Sequence, residues 1–481
     1  MKIIMASSEL APYAATGNLG SHVRTLAVEL RRAGHDVSVV LPYYRSVREG
    51  SLPIQATGVE FQITLGGKRV MAEVLETKGE DGVQVFLVRK DEYFDRSAIY
   101  GDTRAYEDNS ERFIFFSKSV LELARRLSPS PELIHSHDWT TALIPVFVKE
   151  RQLPFQTILT VHDLEHQGSF WSFDFALTNL PGHYFGARGV EFYGRLNFLK
   201  AGILFADAVT LPGEPALHEA LTPEGGHGLH IVLQENAARL QGIPLGNDYT
   251  LTNPDLHEYL EPGKRTGVSL KGAYRQAFVH QHQLSLDAHD LLVAVPLTPG
   301  DAAALAPVYP ILDLLLPDRF RLAVLGTVPA GSRAQAIVAA RRYPGRFLTL
   351  ANEGTGTAQA LALAAADLLL MPSSLGYRAQ PLIAALRYGT LPVVRFRPGL
   401  IQLVTDVQPA NQTGTGFLYY RDEPLAVWEA LQRGKWLLED QGSAEALRLR
   451  ASALDFSWAQ TAHAYGELYA SLLRHRHAVS A

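Results

Sequence analysis

Short apolar runs recur along the chain, and the stretches between them place apolar residues at helical spacing. "KIIMAS" from Lys2 is followed by Val23, Leu26, Ala27 and Leu30 on one helical face, then by "DVSVVLP". "QVFLVRK", "ELIHSH", "QTILTVHD" and "DAVTLPG" come next, each separated by a stretch able to form a crossover helix. A second series begins near Asp290: "DLLVAVP", "FRLAVLGT", "RFLTLA", "DLLLMPS" and "TLPVVRF". Continuous apolar runs mark strands buried on both faces, and their alternation with helices marks parallel βαβ units. The expected fold class is α/β, with two Rossmann-like parallel-sheet domains. Between the two series lies the polar, Pro- and Gly-containing stretch "IPLGNDYTLTNPDLHEYLEPGK". It suggests an N-terminal domain over residues 1–245, a linker over 246–265 and a second domain over 266–455. Ligands of such sheets bind beyond the carboxyl ends of the strands.

Composition narrows the function classes. A chain of 481 residues is long for one core, and 47% hydrophobic with 19% charged residues is a globular balance. A net charge of -5 gives no electrostatic reason to expect nucleic acid or an anionic membrane as partner. With Cys 0, disulfides and thiolate zinc sites are excluded. The opening "MKIIMASSE" reads as a strand and lacks the features of a signal peptide, and no apolar run reaches the roughly 18 residues of a membrane helix. The expected setting is cytoplasmic.

Three places hold candidate chemistry. The loop "SSELAPYAATGNLGSHV" joins a strand to a helix, and Gly17 and Gly20 could let the backbone approach an anion at the helix start, although a full GxGxxG is missing. "HSHDW" and "TVHDLEHQG" both lie just past buried strands, where Asp138 and His162 could hydrogen-bond sugar hydroxyls. His135, His137, Asp138, His162, Asp163 and His166 also raise the question of a metal, but no helical histidine pair fixes a ligand geometry, and the expected metal content is none. Tyr93, Phe94 and Tyr100 in "DEYFDRSAIYGD" are candidates to stack on sugar rings, whereas Phe115 and Leu121 fit a helix packed in the core.

Taken together, these segments resemble the bacterial glycogen synthase and plant starch synthase family, which extends α-1,4-glucan from ADP-glucose. "SSELAPYAATGNLGSHV" is similar to the family pattern SEAAPFAKTGGLGDV, and "IHSHDWTTALIPVFVK" to VHAHDWHTALVPVYLK. "TVHDLEHQG" resembles TIHNLAYQG, "GRLNFLKAGILFADAVT" resembles GINFLKAGIVYADRVT, and "LRYGTLPVVR" is nearly the family string. "FSWAQTAHAYGELY" looks like the family's last helix. The resemblance implies the GT-B glycosyltransferase architecture of two Rossmann-like domains facing a cleft. It also implies a terminal segment, residues 456–481, that returns to the N-terminal domain. The N-terminal domain would be the acceptor side and the second domain the nucleotide side, with no cofactor. The implied partners are α-glucan or maltooligosaccharide and, where activity survives, a nucleotide sugar.

The departures from the family fall in loops. Where the family has the lysine of KTGGL this chain has Ala15, followed by Asn18 for the second glycine. SRLTxQKG becomes "VPLTPGDA", which puts Pro296 at the arginine and Asp301 at the lysine. EPCGL becomes "GYRAQ", with Gly376 at the glutamate; TGGL becomes "RPGL" and NGID becomes "LGND". The expectation is a glycogen synthase homologue with a degenerate donor site, binding glucan or regulating glycogen metabolism without synthase activity. The alternative is a working retaining glucosyltransferase in which Arg378, Arg395 or Arg397 replaces the lost cations.

Overall fold

The apolar runs become strands buried on both faces. The computed structural model describes the chain except residues 51, 80, 247–269, 283, 285, 288, 298–304, 352–355, 372–379, 397–402, 422 and 481. It divides into two units, Met1–Leu245 with Trp458–Ala481, and Gly246–Ser457. Most of the expected linker lies outside the described residues.

The first unit is built on β1 (Lys2–Ala6), β2 (Asp36–Pro42), β3 (Gln55–Leu65), β4 (Lys68–Lys78) and β5 (Gln84–Arg89). It continues with β6 (Leu133–His137), β7 (Gln156–Thr160), the short β8 (Ser169–Phe170), β9 (Glu191–Phe192) and β10 (Arg195–Asn197), then β11 (Ala208–Pro212) and β12 (Leu240–Ile243). Nine of these form one sheet in the order β12-β11-β7-β6-β1-β2-β5-β4-β3, parallel except where β4 pairs with β3 and β5. The strands β8, β10 and β9 form a separate antiparallel flap. Helix α1 (Leu19–Arg32) buries Val23, Leu26, Ala27 and Leu30, the stripe that the spacing predicts. Strand order reverses at β1, which pairs with β2 on one side and β6 on the other. That reversal opens a crevice past the carboxyl ends of β1 and β6, where doubly wound sheets bind ligands.

The second unit holds β13 (Leu291–Pro296), β14 (Phe320–Leu325), β15 (Phe347–Leu350), β16 (Leu368–Met371), β17 (Leu391–Arg395) and β18 (Phe417–Tyr419). They pair in parallel in the order β15-β14-β13-β16-β17-β18, so the reversal falls between β13 and β16. Several buried charges here are paired: Arg321 lies 3.0 Å from Asp290, and Asp367 takes Arg275 at 2.6 Å and Arg448 at 2.9 Å. An unpaired charge in the same place would be far costlier.

The chain's last helix, α2 (Trp458–Ser480), packs in the core of the first unit through Trp458, Ala462, Tyr465 and Tyr469. Its phenols enter a polar seam under the sheet. Tyr469 Oη lies 2.8 Å from His135 Nδ1, His135 Nε2 lies 2.6 Å from Thr160 Oγ1, and Thr160 and Thr210 both hydrogen-bond Tyr465 Oη. Every group in the seam is buried, so each bond lost leaves an orphan. Tyr469→Phe is expected to cost about 1–3 kcal/mol. In calorimetry the transition of the first unit should fall by several degrees while that of the second stays. A first-unit transition that does not move would show that the seam contributes no stability.

Candidate functional site

The crevice at β1 and β6 gathers three loops. The first follows β1. Gly20, at the start of α1, sits against the loop so closely that a Cβ would lie 2.9 Å from Ala11 N and 3.0 Å from Ala15 Cβ. A glycine is therefore required at 20, whereas a Cβ at Gly17 would meet nothing within 4 Å. The loop folds over the buried Glu9: Thr16 N donates to its Oε2 at 2.9 Å, Gly17 N at 3.4 Å, and Thr16 Oγ1 donates to Oε1 at 2.9 Å. Two of the loop's amides, those of Thr16 and Gly17, are thus turned to an internal carboxyl group. Ala15 is exposed, and the chain has no lysine or arginine between Lys2 and Arg24.

The second loop follows β6. Asp138 has φ 56° and ψ -174°, a conformation nearly confined to glycine and costing about 1–3 kcal/mol in other residues. It is held by Asp138 N donating to Thr160 O at 2.9 Å and by His162 N donating to Asp138 Oδ1 at 2.7 Å. Burial pushes the carboxyl up to about 7, against the lowering effect of that backbone N–H. Strain and an acid kept near neutrality in one residue are marks of a functional position.

The third loop follows β7 and supplies His162. Its Nε2 lies 3.2 Å from His137 Nδ1, with the rings stacked at 5.5 Å between centroids. His22 of α1 stacks on the other face of the group, 5.6 Å from His162 and 5.7 Å from Trp458, and His135 lies 4.2 Å from His137. One proton is shared between His137 and His162. Whichever ring holds it, the outer nitrogens, His137 Nε2 and His162 Nδ1, are one donor and one acceptor. Neither finds a partner among the described residues. Burial lowers all four imidazoles, His22 to about 4 and His135 to about 3.

Asp138, His162, Gly17, Gly20 and Tyr100 come together at the crevice. Tyr100 donates to Glu9 Oε1 at 2.8 Å and meets Ser8 Oγ at 2.8 Å, which in turn accepts from Thr140 Oγ1 at 3.0 Å. Tyr100 is tied into the floor and its ring packs near Trp139 and Phe113. Tyr93 is elsewhere: it is buried against Phe94 and Phe115, its phenol hydrogen-bonded to Glu111. Its ring is core, as is Phe94, which is fully buried. The histidines separate as well. His135 points to α2, His166 is exposed and meets Asp163 at 3.0 Å, and among the described residues no three His, Asp or Glu side chains could hold a metal ion.

Pro296 is the buried last residue of β13, opposite Leu325. Asp301, Gly376, Arg378 and Arg397 lie outside the described residues, and Arg395 closes β17. Sequence reasoning missed Glu9, His22 and Trp458. His22 stands where the family string ends in valine, and that departure was the available signal. No helix among the described residues is long and apolar enough to cross a membrane.

The site titrates in two opposing senses. Below 6.5 the unfolded histidines take protons that the buried ones refuse, so their contribution is complete above 6.5 and lost as pH falls. Asp138 runs the other way: the folded state keeps its proton up to about 7, and this contribution is lost as pH rises through that value. Asp138→Asn keeps an acceptor for His162 N and removes the titration. Urea unfolding should find the variant more stable than wild type by about 1–3 kcal/mol at pH 8 and by much less at pH 5. An equal difference at both pH values would mean that the carboxyl is not held near neutrality.

Comparison with known proteins places these features in one family. The starch synthase catalytic domain model matches residues 2–235. Glycogen synthase 2 of Geobacter metallireducens is 34% identical over 484 residues, covering 98% of this chain and 98% of that protein. Glycogen synthase of Syntrophotalea carbinolica is 32% identical, covering 99% and 100%. Among solved structures, the catalytic domain of starch synthase IV from Arabidopsis thaliana bound to ADP and acarbose superposes with a TM-score of 0.74 at 24% identity, covering 98% of this chain and 99% of that one. That likeness carries the GT-B fold. With full-length relatives above 30% identity, the chain belongs to the glycogen and starch synthase family.

Proposed function

We propose that this protein is a glucan-binding member of its family whose donor site no longer supports transfer from ADP-glucose, and that it acts in the cytoplasm on glycogen as a binding or regulatory protein. Breaking the bond between glucose and a nucleoside diphosphate puts negative charge on the leaving phosphates. Without a metal, cationic side chains must stabilise that charge, each worth on the order of 10²- to 10³-fold, with an arginine on a transferring phosphoryl reaching about 10⁵-fold. On the family resemblance read from the sequence, Ala15, Pro296, Asp301 and Gly376 stand where the family has its cations and carboxylate. The observation that carries the reading is the loop after β1, where the exposed Ala15 stands at the family's lysine and no lysine or arginine lies between Lys2 and Arg24. Asp138 and His162 remain at the family's positions beside the crevice, and that placement supports glucan binding in the first unit.

A second reading has an observation of its own. Full-length identity of 34% to a glycogen synthase favours a working retaining glucosyltransferase using ADP-glucose or another nucleotide sugar. Arg378, Arg395 or Arg397 would then serve as the phosphate clamp.

Incorporation of labelled glucose into glycogen separates the two. The first reading expects turnover below about 10⁻² s⁻¹ with ADP-glucose, against about 10 s⁻¹ for a typical enzyme. It also expects calorimetric binding of maltooligosaccharide where millimolar ADP-glucose gives little heat. Turnover of about 1 s⁻¹ or faster, abolished by Arg378→Ala, would establish the second reading instead.

Restoration tests the same idea from the other side. Ala15→Lys, Pro296→Arg, Asp301→Lys and Gly376→Glu together should raise ADP affinity at least tenfold, about 1.4 kcal/mol. Single reversions should do little, because groups that act as a unit are non-additive. No gain in ADP affinity in a folded quadruple variant would contradict a local loss of donor chemistry.

A further inference from the structure

The antiparallel flap of the first unit exposes aromatic rings that the crevice does not use. Trp171 is 65% exposed, Phe173 71% and Tyr193 84%. Strand register brings them to one end of the flap. Leu196 of β10 pairs with Phe170 of β8, so Trp171, the next residue, continues opposite Arg195. Arg195 pairs with Phe192 of β9, and the two residues between them, Tyr193 and Gly194, form the connecting turn at that same end. The Trp171 and Phe173 rings meet at 4.6 Å between centroids and 58° between planes. Asp174 N donates to Trp171 O at 3.0 Å, which closes the turn beneath the pair. Arg195 is anchored to Ser169 through Nε to Oγ at 2.9 Å and Nη2 to O at 3.1 Å.

Tyr193 adds an independent sign. With φ 48° at Tyr193 and φ 75° at Gly194, the turn has the two left-handed residues of a type I′ hairpin. Asn or Gly normally occupies the first of these positions, and a bulky ring there is strained. The ring meets Phe192 edge-on at 4.6 Å between centroids, yet it stays 84% exposed. A large aromatic held in a costly conformation and left exposed is a feature to be explained by what binds it.

The geometry points to a second carbohydrate subsite on this flap, in which Trp171, Phe173 and Tyr193 stack on the sugar faces of an α-1,4-glucan chain. This rests on the glucan-binding reading above and extends it to the exposed end of the flap, whose root packs on the crevice loop through Phe170 and Trp139, 5.7 Å apart. Three features select the occupant. Glucose rings present C–H faces that stack on aromatic rings and hydroxyls that suit flanking polar groups such as Arg195 and Ser169. Successive rings of an α-1,4-glucan turn relative to one another, which suits two platforms inclined at 58°, whereas a flat β-1,4-glucan suits coplanar ones. A neutral polymer also suits a chain of net charge -5, which an anionic membrane surface would repel.

Affinity electrophoresis in glycogen-containing gels and calorimetry with maltoheptaose test the subsite on the full chain. Trp171→Ala with Phe173→Ala should weaken glycogen retardation about tenfold while leaving the melting temperature unchanged, since both rings are exposed. Trp171→Phe should retain most of the binding, and Tyr193→Gly should weaken retardation while relaxing the turn and raising stability slightly. Cellohexaose should not compete. Wild-type retardation with an unaltered double variant would overturn the flap subsite and leave glucan binding at the crevice intact. Absence of any glycogen or maltoheptaose binding by the wild type would remove the underlying reading as well. A wild-type dimer in sedimentation that Trp171→Ala and Phe173→Ala dissolve would assign the rings to a self-interface and overturn the inference.

Discussion

The first unit depends on a buried polar seam in which the chain's end is bonded to strands laid down some three hundred residues earlier. Tyr465 and Tyr469 bring hydroxyls to Thr160, Thr210 and His135, all inside the sheet's packed layer. Apolar packing alone would hold α2 against the sheet but would not fix its rotation. The seam does, because any other rotation strands several buried donors and acceptors at once. The same helix sets Trp458 against His22, so the packing that closes the fold also forms one wall of the imidazole group.

That coupling explains why the histidines are neutral. A cluster of four imidazoles in a buried setting cannot carry protons near neutral pH without paying desolvation and mutual repulsion. Held neutral, His137 and His162 share a hydrogen bond and leave one donor and one acceptor, both buried, without a partner among the described residues. A diphosphate needs donors and positive charge. The Asp138 carboxyl, pushed up to about 7, and the Glu9 carboxylate under the first loop add none. The neutral imidazoles and the raised Asp138 carboxyl therefore bring no positive charge to the crevice of the first unit.

The fold class was legible because its signal is redundant. Buried strands such as β13 and β16 must be apolar throughout, and α1 must repeat its stripe at Val23, Leu26, Ala27 and Leu30, so many positions repeat one message. The family was legible from long motifs lying in order. The site was legible only in part. Asp138 and His162 announce themselves by following buried strands, but the partners that define them come from distant segments: Glu9 from β1's loop, His22 from α1 and Trp458 from the last helix. Tyr93 illustrates the converse. In the sequence it stands in a polar stretch beside Asp91, Glu92 and Asp95, which suggests a loop ring free to stack, yet the short helix Asp91–Phe94 turns it inward onto Phe115. Local composition reports solvent preference, while tertiary packing decides which side of a turn a ring occupies.

The exposed rings of the flap separate two demands that a glucan-binding protein must meet. Recognition of one sugar at a crevice needs fixed hydrogen-bond partners, which burial provides and which acid would disturb through the lowered histidines. Retention on a large polymer needs many weak contacts that tolerate register shifts, and stacking on exposed rings provides those without any titratable group. Two sites on one chain raise the effective concentration of each for the same polymer, so modest affinities at both give firm attachment. A chain that no longer transfers glucose could keep both, because neither uses the cations that transfer requires. Ala15 and Pro296 take no part in the hydrogen bonds that hold the seam and the imidazole group or in the pairing of the flap.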